Sequence, residues 1–282
     1  THEHDRCGGG RQEALGLGSG DETLVSRYWP EGDERRVVHV VGKDILRFHA
    51  VFWPAFLMAA GLEPPRRMFI HGFLLMGDKK MSKSLGNVLD PFEVIERFGA
   101  DALRYYCFRE VSFGKDGSIS TAGFETRYES ELANDFGNLA SRSLAMVSRY
   151  RDGLVPDSTV DPMLAADFDG IVGRVSALLD EAQISQALEE IWVVVRRMNR
   201  YVEETQPWVL AKDEGDAERL DQVLYNLVEG LRVLTLLLHP YLPESSEMLN
   251  AALGQSGLGL EDFGSRGGGQ SVERIEPLFP KL

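Results

Sequence analysis

The sequence predicts an α/β region followed by an all-α region. Residues 37–41 read VVHVV, a β-branched run that is typical of a buried parallel strand. Apolar residues then fill residues 45–60 as in a helix, and residues 67–75 form a second strand candidate. Beyond about residue 119 the helical period dominates. The first pattern indicates a right-handed βαβ unit of a nucleotide-binding sheet, and the second indicates a helix bundle.

The first strand is expected to end in a turn at Gly42-Lys43-Asp44, where the Asp44 side chain can cap the helix that follows. Pro54 should kink that helix, because proline lacks the N–H group that a helix interior uses. Apolar residues occupy more than one face of the helix, so we expect an uncovered apolar surface around residues 45–58.

Two helices are expected between the strands and the bundle. Asp90-Pro91 starts the first, with Asp as the cap and Pro at the first helical position. Gly99 ends it, and Asp101 opens the second. Residues 111–123 form a Gly- and Ser-containing connector, and the main domain boundary is placed there.

The bundle begins with one long predicted helix, Glu125–Tyr150. Trp192 lies inside an apolar stripe and is assigned to the core. Three further stripes and one short helix are expected at residues 171–179, 184–195, 223–234 and 245–253. The resulting domain limits are 1–22, an irregular tail that is disordered or aberrant, 23–118, the α/β part, and 119–282, the helical part.

Composition restricts the class of protein. The 282 residues contain no run of about 18 apolar residues, so no membrane span is expected. Two cysteines, Cys7 and Cys107, are too few for a disulfide framework, which suits a cytoplasmic protein. A net charge of −14 argues against a general nucleic-acid binder, but local basic patches such as Arg196-Arg197-Arg200 leave room for one RNA partner.

The most informative motif is the loop Lys80-Met81-Ser82-Lys83-Ser84, which is followed by Leu-Gly-Asn. Two lysines this close repel each other unless an anion lies between them. A polyphosphate fits, because the serine hydroxyls and loop amides add hydrogen-bond donors. The alternative for an isolated KxxK pattern is a solvated basic turn.

Five segments together resemble the methionyl-tRNA synthetase family of class I aminoacyl-tRNA synthetases, from about Tyr28 onward. The lysine loop by itself indicates the class, and the combination indicates methionine. The segments are HVVGKDILRFH (His39–His49) with FWPAFLM (Phe52–Met58) after it, HGFLLMGDKKMSKSLGN (His71–Asn87), NDFGNLASR (Asn134–Arg142), Gln206-Pro207-Trp208 and EPLFPKL (Glu276–Leu282). The first of them resembles the family's substrate-pocket element.

The resemblance implies a partial Rossmann-like nucleotide-binding half with the KMSKS loop, followed by a helical anticodon-binding domain. It implies that ATP, with Mg²⁺, activates methionine to methionyl-adenylate, which is transferred to tRNA(Met). It implies these roles: catalytic Lys80, Ser82, Lys83 and Ser84, with Lys83 also at ATP; ATP or adenylate contacts from Gly42 and Asp44; methionine contacts from Ile45 and His49; and anticodon contacts from Asn138, Arg142 and Trp208. It assigns no metal ligand.

Three of these residues also have a purely structural explanation. His49 can be a satisfied core histidine, Trp208 can be core packing, and Arg142 can form a surface ion pair. The resemblance favours the anticodon role over these alternatives for Arg142 and Trp208. Asn138 and Arg142 lie four residues apart, so they can present an amide and a guanidinium side by side to the bases of a single-stranded loop.

The chain also departs from the family pattern. It lacks the His-x-Gly-His phosphate motif, so it is expected to be the C-terminal half of a synthetase, without activity by itself. Residues 2–20 resemble nothing in the family and are expected to be out of frame or misassigned, joined to authentic sequence near Asp21. Two other functions remain open: an inactive module that binds the tRNA anticodon, and a different class I synthetase.

Overall fold

A computed structural model describes the chain over residues 37–76, 79–80, 90–255, 257 and 259–281. The chain divides between Phe73 and Leu74 into two compact units, here called the N-terminal unit and the helical unit. The predicted tail 1–22 and the lysine-loop residues 81–84 lie outside the described residues.

The N-terminal unit contains a parallel strand pair, as predicted. β1 (Val38–Gly42) pairs in parallel with β2 (Arg67–His71), and Gly42 lies opposite His71. Because the strands are parallel, their carboxyl ends meet at one edge, where α/β sheets commonly bind ligands.

The connection between these strands is helical from residue 43 to residue 59, in three geometries. A 3₁₀ turn (Lys43–Ile45) is followed by a π-helical turn (Phe48–Phe52) and then by α1 (Trp53–Ala59). Pro54 therefore lies in the first turn of α1, directly after the π turn. The predicted irregularity at this proline takes the form of a local change in helix type, which accommodates the missing N–H group.

The predicted uncovered apolar surface of this helix is confirmed. Leu57 is the only buried residue among those described in the N-terminal unit. The exposed fractions of Phe48 and Phe56 are 58% and 67%, and Val51 and Met58 are exposed as well.

The predicted strand over residues 67–75 is wrong in its length. β2 ends at His71, and β3 (Leu74–Met76) begins a different sheet in the helical unit. β3 pairs antiparallel with β4 (Lys79–Lys80) and in parallel with β5 (Gly117–Ile119). The sequence does not reveal the break at residues 72–73, because both strands are partly buried and have similar apolar patterns.

The helices α2 (Pro91–Phe98) and α3 (Ala100–Glu110) lie where the sequence predicts them. The Asp90 carboxylate accepts a hydrogen bond of 2.9 Å from the Phe92 N–H, and Gly99 ends α2 with a φ of 85°. α3 begins at Ala100 without a side-chain cap, so Asp101 does not open it as predicted. The Asp101 carboxylate instead accepts a hydrogen bond from the Ser245 N–H in the first turn of a distant helix.

The long predicted helix is confirmed and begins earlier, at Thr121. α4 (Thr121–Arg127), a ten-residue π-helical segment (Tyr128–Gly137) and α5 (Asn138–Arg151) follow one another without a break. The N-terminal end is capped by Ser120, whose hydroxyl accepts from the Gly123 N–H.

The remaining helices pack around a common core in which Trp192 is fully buried, as predicted. They are α6 (Pro162–Phe168), α7 (Ile171–Asp180), α8 (Ile184–Thr205), α9 (Pro207–Leu210), a 3₁₀ turn (Glu214–Asp216), α10 (Ala217–Leu238) and α11 (Pro243–Ala252). α10 is buried on nearly all sides and forms the centre of the bundle.

In the part of the chain that the structure describes, no helix is long and apolar enough to cross a membrane. The predicted domain boundary at residues 118–119 lies within β5, whereas the compact units divide after Phe73. The domain limits therefore stay a prediction.

Candidate functional site

The carboxyl edge of the β1–β2 pair brings together the two residues expected at the nucleotide. A side-chain carbon at Gly42 would lie 2.6 Å from Asp44 Oδ1, so only glycine leaves the Asp44 carboxylate in this place. The expected capping role of Asp44 is not observed, because no side chain caps this 3₁₀ turn. The carboxylate instead turns back toward Gly42, where it can accept hydrogen bonds from a ligand's hydroxyl groups.

An aromatic cleft of about 590 Å³ opens in the same unit. The lining residues come from β1 and from the helical connection: His39, Phe48, His49, Phe52, Trp53 and Phe56. Its volume suits a small molecule, and its walls are apolar with imidazole groups as polar handles.

Hydrogen bonding orients the His49 ring in this cleft. His49 Nδ1 lies 3.0 Å from the Ile45 carbonyl oxygen, one helical turn earlier. Because a carbonyl can only accept, Nδ1 carries the proton and Nε2 is left for another partner. His49 is half-buried and lies on the cleft wall, which differs from the alternative of a satisfied core histidine.

Ile45 contributes its carbonyl group to this arrangement, but its side chain does not line the cleft. Among the six lining residues, only His49 was given a role from the sequence, although the segments that resemble the family's pocket contain all six. Within the cleft, the His39 ring stacks on Trp53 at 6.5 Å. Spacing could have identified Trp53, since residues 45, 49 and 53 follow the four-residue repeat of one helix face. His39 has no such signal, because it comes from β1.

The structure describes both strands of the hairpin that leads into the lysine loop, but not residues 77–78 between them. β3 and β4 are antiparallel, with Leu75 opposite Lys80. Lys80 is the only residue of the lysine loop that lies within the described residues. Ser82, Lys83 and Ser84 lie outside the described residues.

Two of the three expected anticodon residues meet in the helical unit. The Arg142 guanidinium lies 5.7 Å from the centre of the Trp208 ring, which is a cation–π contact. Arg142 also forms an ion pair of 2.9 Å with Glu203, so the alternative of a surface ion pair is realised at the same time. Trp208 is half-buried against the bundle core, which leaves part of its ring surface accessible.

Asn138 is exposed at the first position of α5, one turn before Arg142. The Trp208 helix begins after Gln206, whose φ of 44° is unusual for a residue other than glycine. This left-handed residue ends α8 and turns the chain so that α9 can start. The strained turn thus places Trp208 beside Arg142, and Asn138, Arg142 and Trp208 are here called the Asn-Arg-Trp face.

A buried charge network supports the segment that leads into this face. Glu131, in the π-helical segment, accepts a hydrogen bond of 2.7 Å from the Tyr105 hydroxyl group. It also pairs with Arg109 at 3.2 Å and with Arg127 at 2.7 Å. Arg109 in turn pairs with Glu189 on α8. The network therefore ties the π-helical segment to α3 and to α8.

Protonation of Glu131 should weaken the fold. Burial alone would raise the pKa of Glu131, but hydrogen bonds from Arg109 and Tyr105 and the nearby positive charges lower it below the ordinary value of 4.5. The stabilisation is therefore complete above pH 4.5 and is lost as the pH falls through the lower pKa of the folded state. We expect the unfolding free energy, measured by urea titration at successive pH values, to fall in that acid range.

The matched variants are Glu131→Gln and Glu129→Gln, since Glu129 is exposed on the same segment. Glu131→Gln should be less stable than the wild type at pH 7 and should approach it in acid. Glu129→Gln should follow the wild-type profile. Parallel profiles for wild type and Glu131→Gln would contradict the assigned role.

Two family models match the chain in succession. Residues 14–144 match the model described as tRNA synthetases class I (M), and residues 156–262 match the model described as the anticodon binding domain of methionyl tRNA ligase. The chain is thus built from a class I synthetase catalytic-type domain and a helical anticodon-binding domain. Within that class, it belongs to the methionyl-tRNA synthetase family.

Curated relatives agree with this assignment. The chain is 42% identical to the methionine–tRNA ligase of Clostridium perfringens over 276 residues, which cover 95% of the chain and 42% of that relative. It is 42% identical to the Bacillus subtilis enzyme, with 95% and 41% covered. The chain therefore spans less than half the length of these relatives.

A solved structure gives the same result for the fold. The Mycobacterium tuberculosis methionyl-tRNA synthetase in complex with methionyl-adenylate superimposes with a TM-score of 0.83 at 40% identity. The alignment covers 96% of this chain and 54% of that one. The family match begins at residue 14, so residues 14–20, expected to bear no likeness to the family, fall within the matched range.

Proposed function

We propose that this chain serves a methionine–tRNA ligase, which uses ATP to activate methionine and transfers it to tRNA(Met) in the cytoplasm. The proposal depends on one observation: the same chain carries a site suited to the amino acid and a site suited to RNA. One is the aromatic cleft with an oriented His49, and the other is the contact between Arg142 and Trp208. Trp208 lies in the range that matches the anticodon-binding model, and Arg142 lies in the range that matches the synthetase model. The names of the relatives support the same reaction.

The nucleotide would be held by the edge of the β1–β2 pair and by the lysine loop. Asp44 is suited to accept hydrogen bonds from ribose hydroxyl groups, and Gly42 keeps the approach open. Lys80, Ser82, Lys83 and Ser84 would supply positive charge and donors to the phosphates. Mg²⁺ would arrive on those phosphates, because proteins commonly bind this ion through substrate phosphates and only one or two carboxylates.

Methionine would enter the aromatic cleft. A thioether is soft and apolar, so aromatic walls suit it. Trp53 and Phe52 supply such walls, and His49 Nε2 is a polar group that can contact the ligand. Ile45 would act mainly through its carbonyl group, which orients His49.

The Asn-Arg-Trp face would read the anticodon of tRNA(Met). A splayed base can stack on the accessible part of Trp208, and single-stranded loops expose base edges to amide and guanidinium groups. The contact with Trp208 and the ion pair with Glu203 hold Arg142 before RNA arrives, which reduces the entropy lost on binding.

Removal of the stacking surface should weaken tRNA binding. Stacking of one base on an aromatic side chain contributes about 1–3 kcal/mol, so Trp208→Ala should raise the Kd for tRNA(Met) roughly 5- to 150-fold. Fluorescence anisotropy with labelled tRNA measures the change. A tRNA(Met) with an altered anticodon should bind the wild type weakly and lose little further affinity with Trp208→Ala.

The chain offers a matched control on α5, the helix that carries Arg142. The Arg149 guanidinium lies 5.7 Å from the Tyr150 ring, the same distance as in the Arg142–Trp208 contact. Tyr150→Ala should therefore leave the Kd unchanged. An equal loss of affinity in both variants would remove the anticodon assignment, and so would an unchanged Kd for Trp208→Ala.

A further inference from the structure

The helical unit contains a second cleft, and none of its lining residues belongs to the Asn-Arg-Trp face. It has a volume of about 380 Å³ and is lined by Arg97 and Phe98 of α2, by Tyr128, and by Pro280 and Lys281 of the C-terminal segment. Two cations and an aromatic wall thus meet at one concave surface of a chain whose net charge is −14.

The guanidinium group of Arg97 has N–H donors available for a ligand. Its guanidinium lies 4.7 Å from the centre of the Phe98 ring, and its side chain is 64% exposed. Among the described residues, Arg97 forms an ion pair only with Glu125, at 3.8 Å. That separation is too long for a hydrogen bond, so the N–H groups of Arg97 can still bind an anion. Stacking on an aromatic ring orients the guanidinium for a phosphate.

The wall of the cleft is rigid. The rings of Phe98 and Tyr128 lie 4.9 Å apart in an edge-to-face contact. The Tyr128 hydroxyl group donates a hydrogen bond of 2.9 Å to the Pro280 carbonyl, and the neighbouring Phe279 is buried. These contacts fix the backbone next to Lys281, which lines the same cleft as Arg97.

We propose that this cleft binds a backbone phosphate of tRNA. A phosphodiester is an anion that a guanidinium and an ammonium group can share, and RNA presents it without regard to base sequence. The inference rests on the proposed function, because that function supplies tRNA as the polyanion. It adds a contact that lies on α2 and the C-terminal segment, outside the residues assigned to the anticodon.

The salt dependence of tRNA binding tests this directly. In the double variant Arg97→Gln with Lys281→Gln, one phosphate contact is lost. The slope of log K against log salt concentration should then decrease in magnitude by about 1. Both side chains are exposed, and far-UV circular dichroism verifies that the variant is folded. A slope equal to that of the wild type would overturn the proposal.

Arg174→Gln is the control for removal of a surface charge. Arg174 pairs with Glu190 at 3.2 Å and should leave the slope unchanged. An equal decrease in this control would overturn the assignment to the cleft. A wild-type chain that binds no tRNA would overturn both this inference and the proposed function, whereas an unaltered slope with intact anticodon effects would overturn this inference alone.

Ethylation of tRNA phosphates locates the contact on the RNA. At one position or a few, an ethylated phosphate should weaken binding to the wild type but not to the double variant. Identical interference patterns for the two proteins would contradict a phosphate contact at this cleft.

Discussion

Replacement of Lys83 by Gln is expected to slow methionyl-adenylate formation by a factor of about 10²–10³, equivalent to about 2.7–4 kcal/mol of transition-state stabilisation. The reaction is attack of the methionine carboxylate on the α-phosphate of ATP, with pyrophosphate as the leaving group. Negative charge grows on the pyrophosphate, and a positioned lysine stabilises it more in the transition state than in the ground state. Pyrophosphate exchange measures this step in a ligase of full family length that carries this sequence.

Lys115→Gln is the matched control, because Lys115 is exposed in the loop before β5. It should leave the exchange rate unchanged. An exchange rate that is undiminished in Lys83→Gln would contradict the role of the lysine loop. Absence of exchange in the parent protein, together with anticodon-dependent tRNA binding, would instead favour the inactive tRNA-binding module.

Replacement of Arg232 by Met is expected to lower the unfolding free energy of the helical unit by about 3–5 kcal/mol. Arg232 and Glu229 are almost completely buried on α10 and are joined by two hydrogen bonds of 2.7 and 2.8 Å. Arg232 also donates to the carbonyl groups of residues 261 and 262. Loss of the arginine leaves the Glu229 charge buried without its partner. Urea denaturation followed by far-UV circular dichroism measures the change.

The double variant Glu229→Leu with Arg232→Met distinguishes a buried pair from simple packing. Because no unpaired charge remains, it should be more stable than Arg232→Met alone, with a coupling energy of about 0.5–3 kcal/mol. Arg174→Met is the exposed control: both members of its pair with Glu190 are exposed, and the pair should contribute only about 0–1 kcal/mol. Equal losses in Arg232→Met and Arg174→Met would contradict the importance of the buried pair.

Local signals predicted many elements. Asp90, Pro91 and Gly99 mark both ends of α2, since a cap, a fixed φ and a positive φ are properties of single residues. The apolar period found the bundle helices and the burial of Trp192. It failed at residues 67–75, because periodicity records burial and does not record which partner strand provides it.

Some residues of the candidate site were predicted from the sequence, and others were found only in the structure. The resemblance to the family identified His49, Arg142 and Trp208, and the four-residue spacing placed His49 on one face with Ile45. Neither signal gave His39 a role; this residue reaches the cleft from β1, whereas His49 reaches it from the helical connection. The Arg97–Lys281 cleft was also missed, because its two cations lie far apart in the chain.

The sequence by itself determined the position of β1 and of most helices, the signals at both ends of α2 and the apolar faces. Each of these depends on residues within a few positions of one another. It also determined the family, through five segments that are spread along the chain. Only the tertiary structure decided how distant residues combine: the Arg142 guanidinium on the Trp208 ring, the Glu131 network across three segments, and the pairing of α2 with the C-terminal segment. These contacts depend on how the helices pack, and packing angles and distances are set by the whole core rather than by any local pattern.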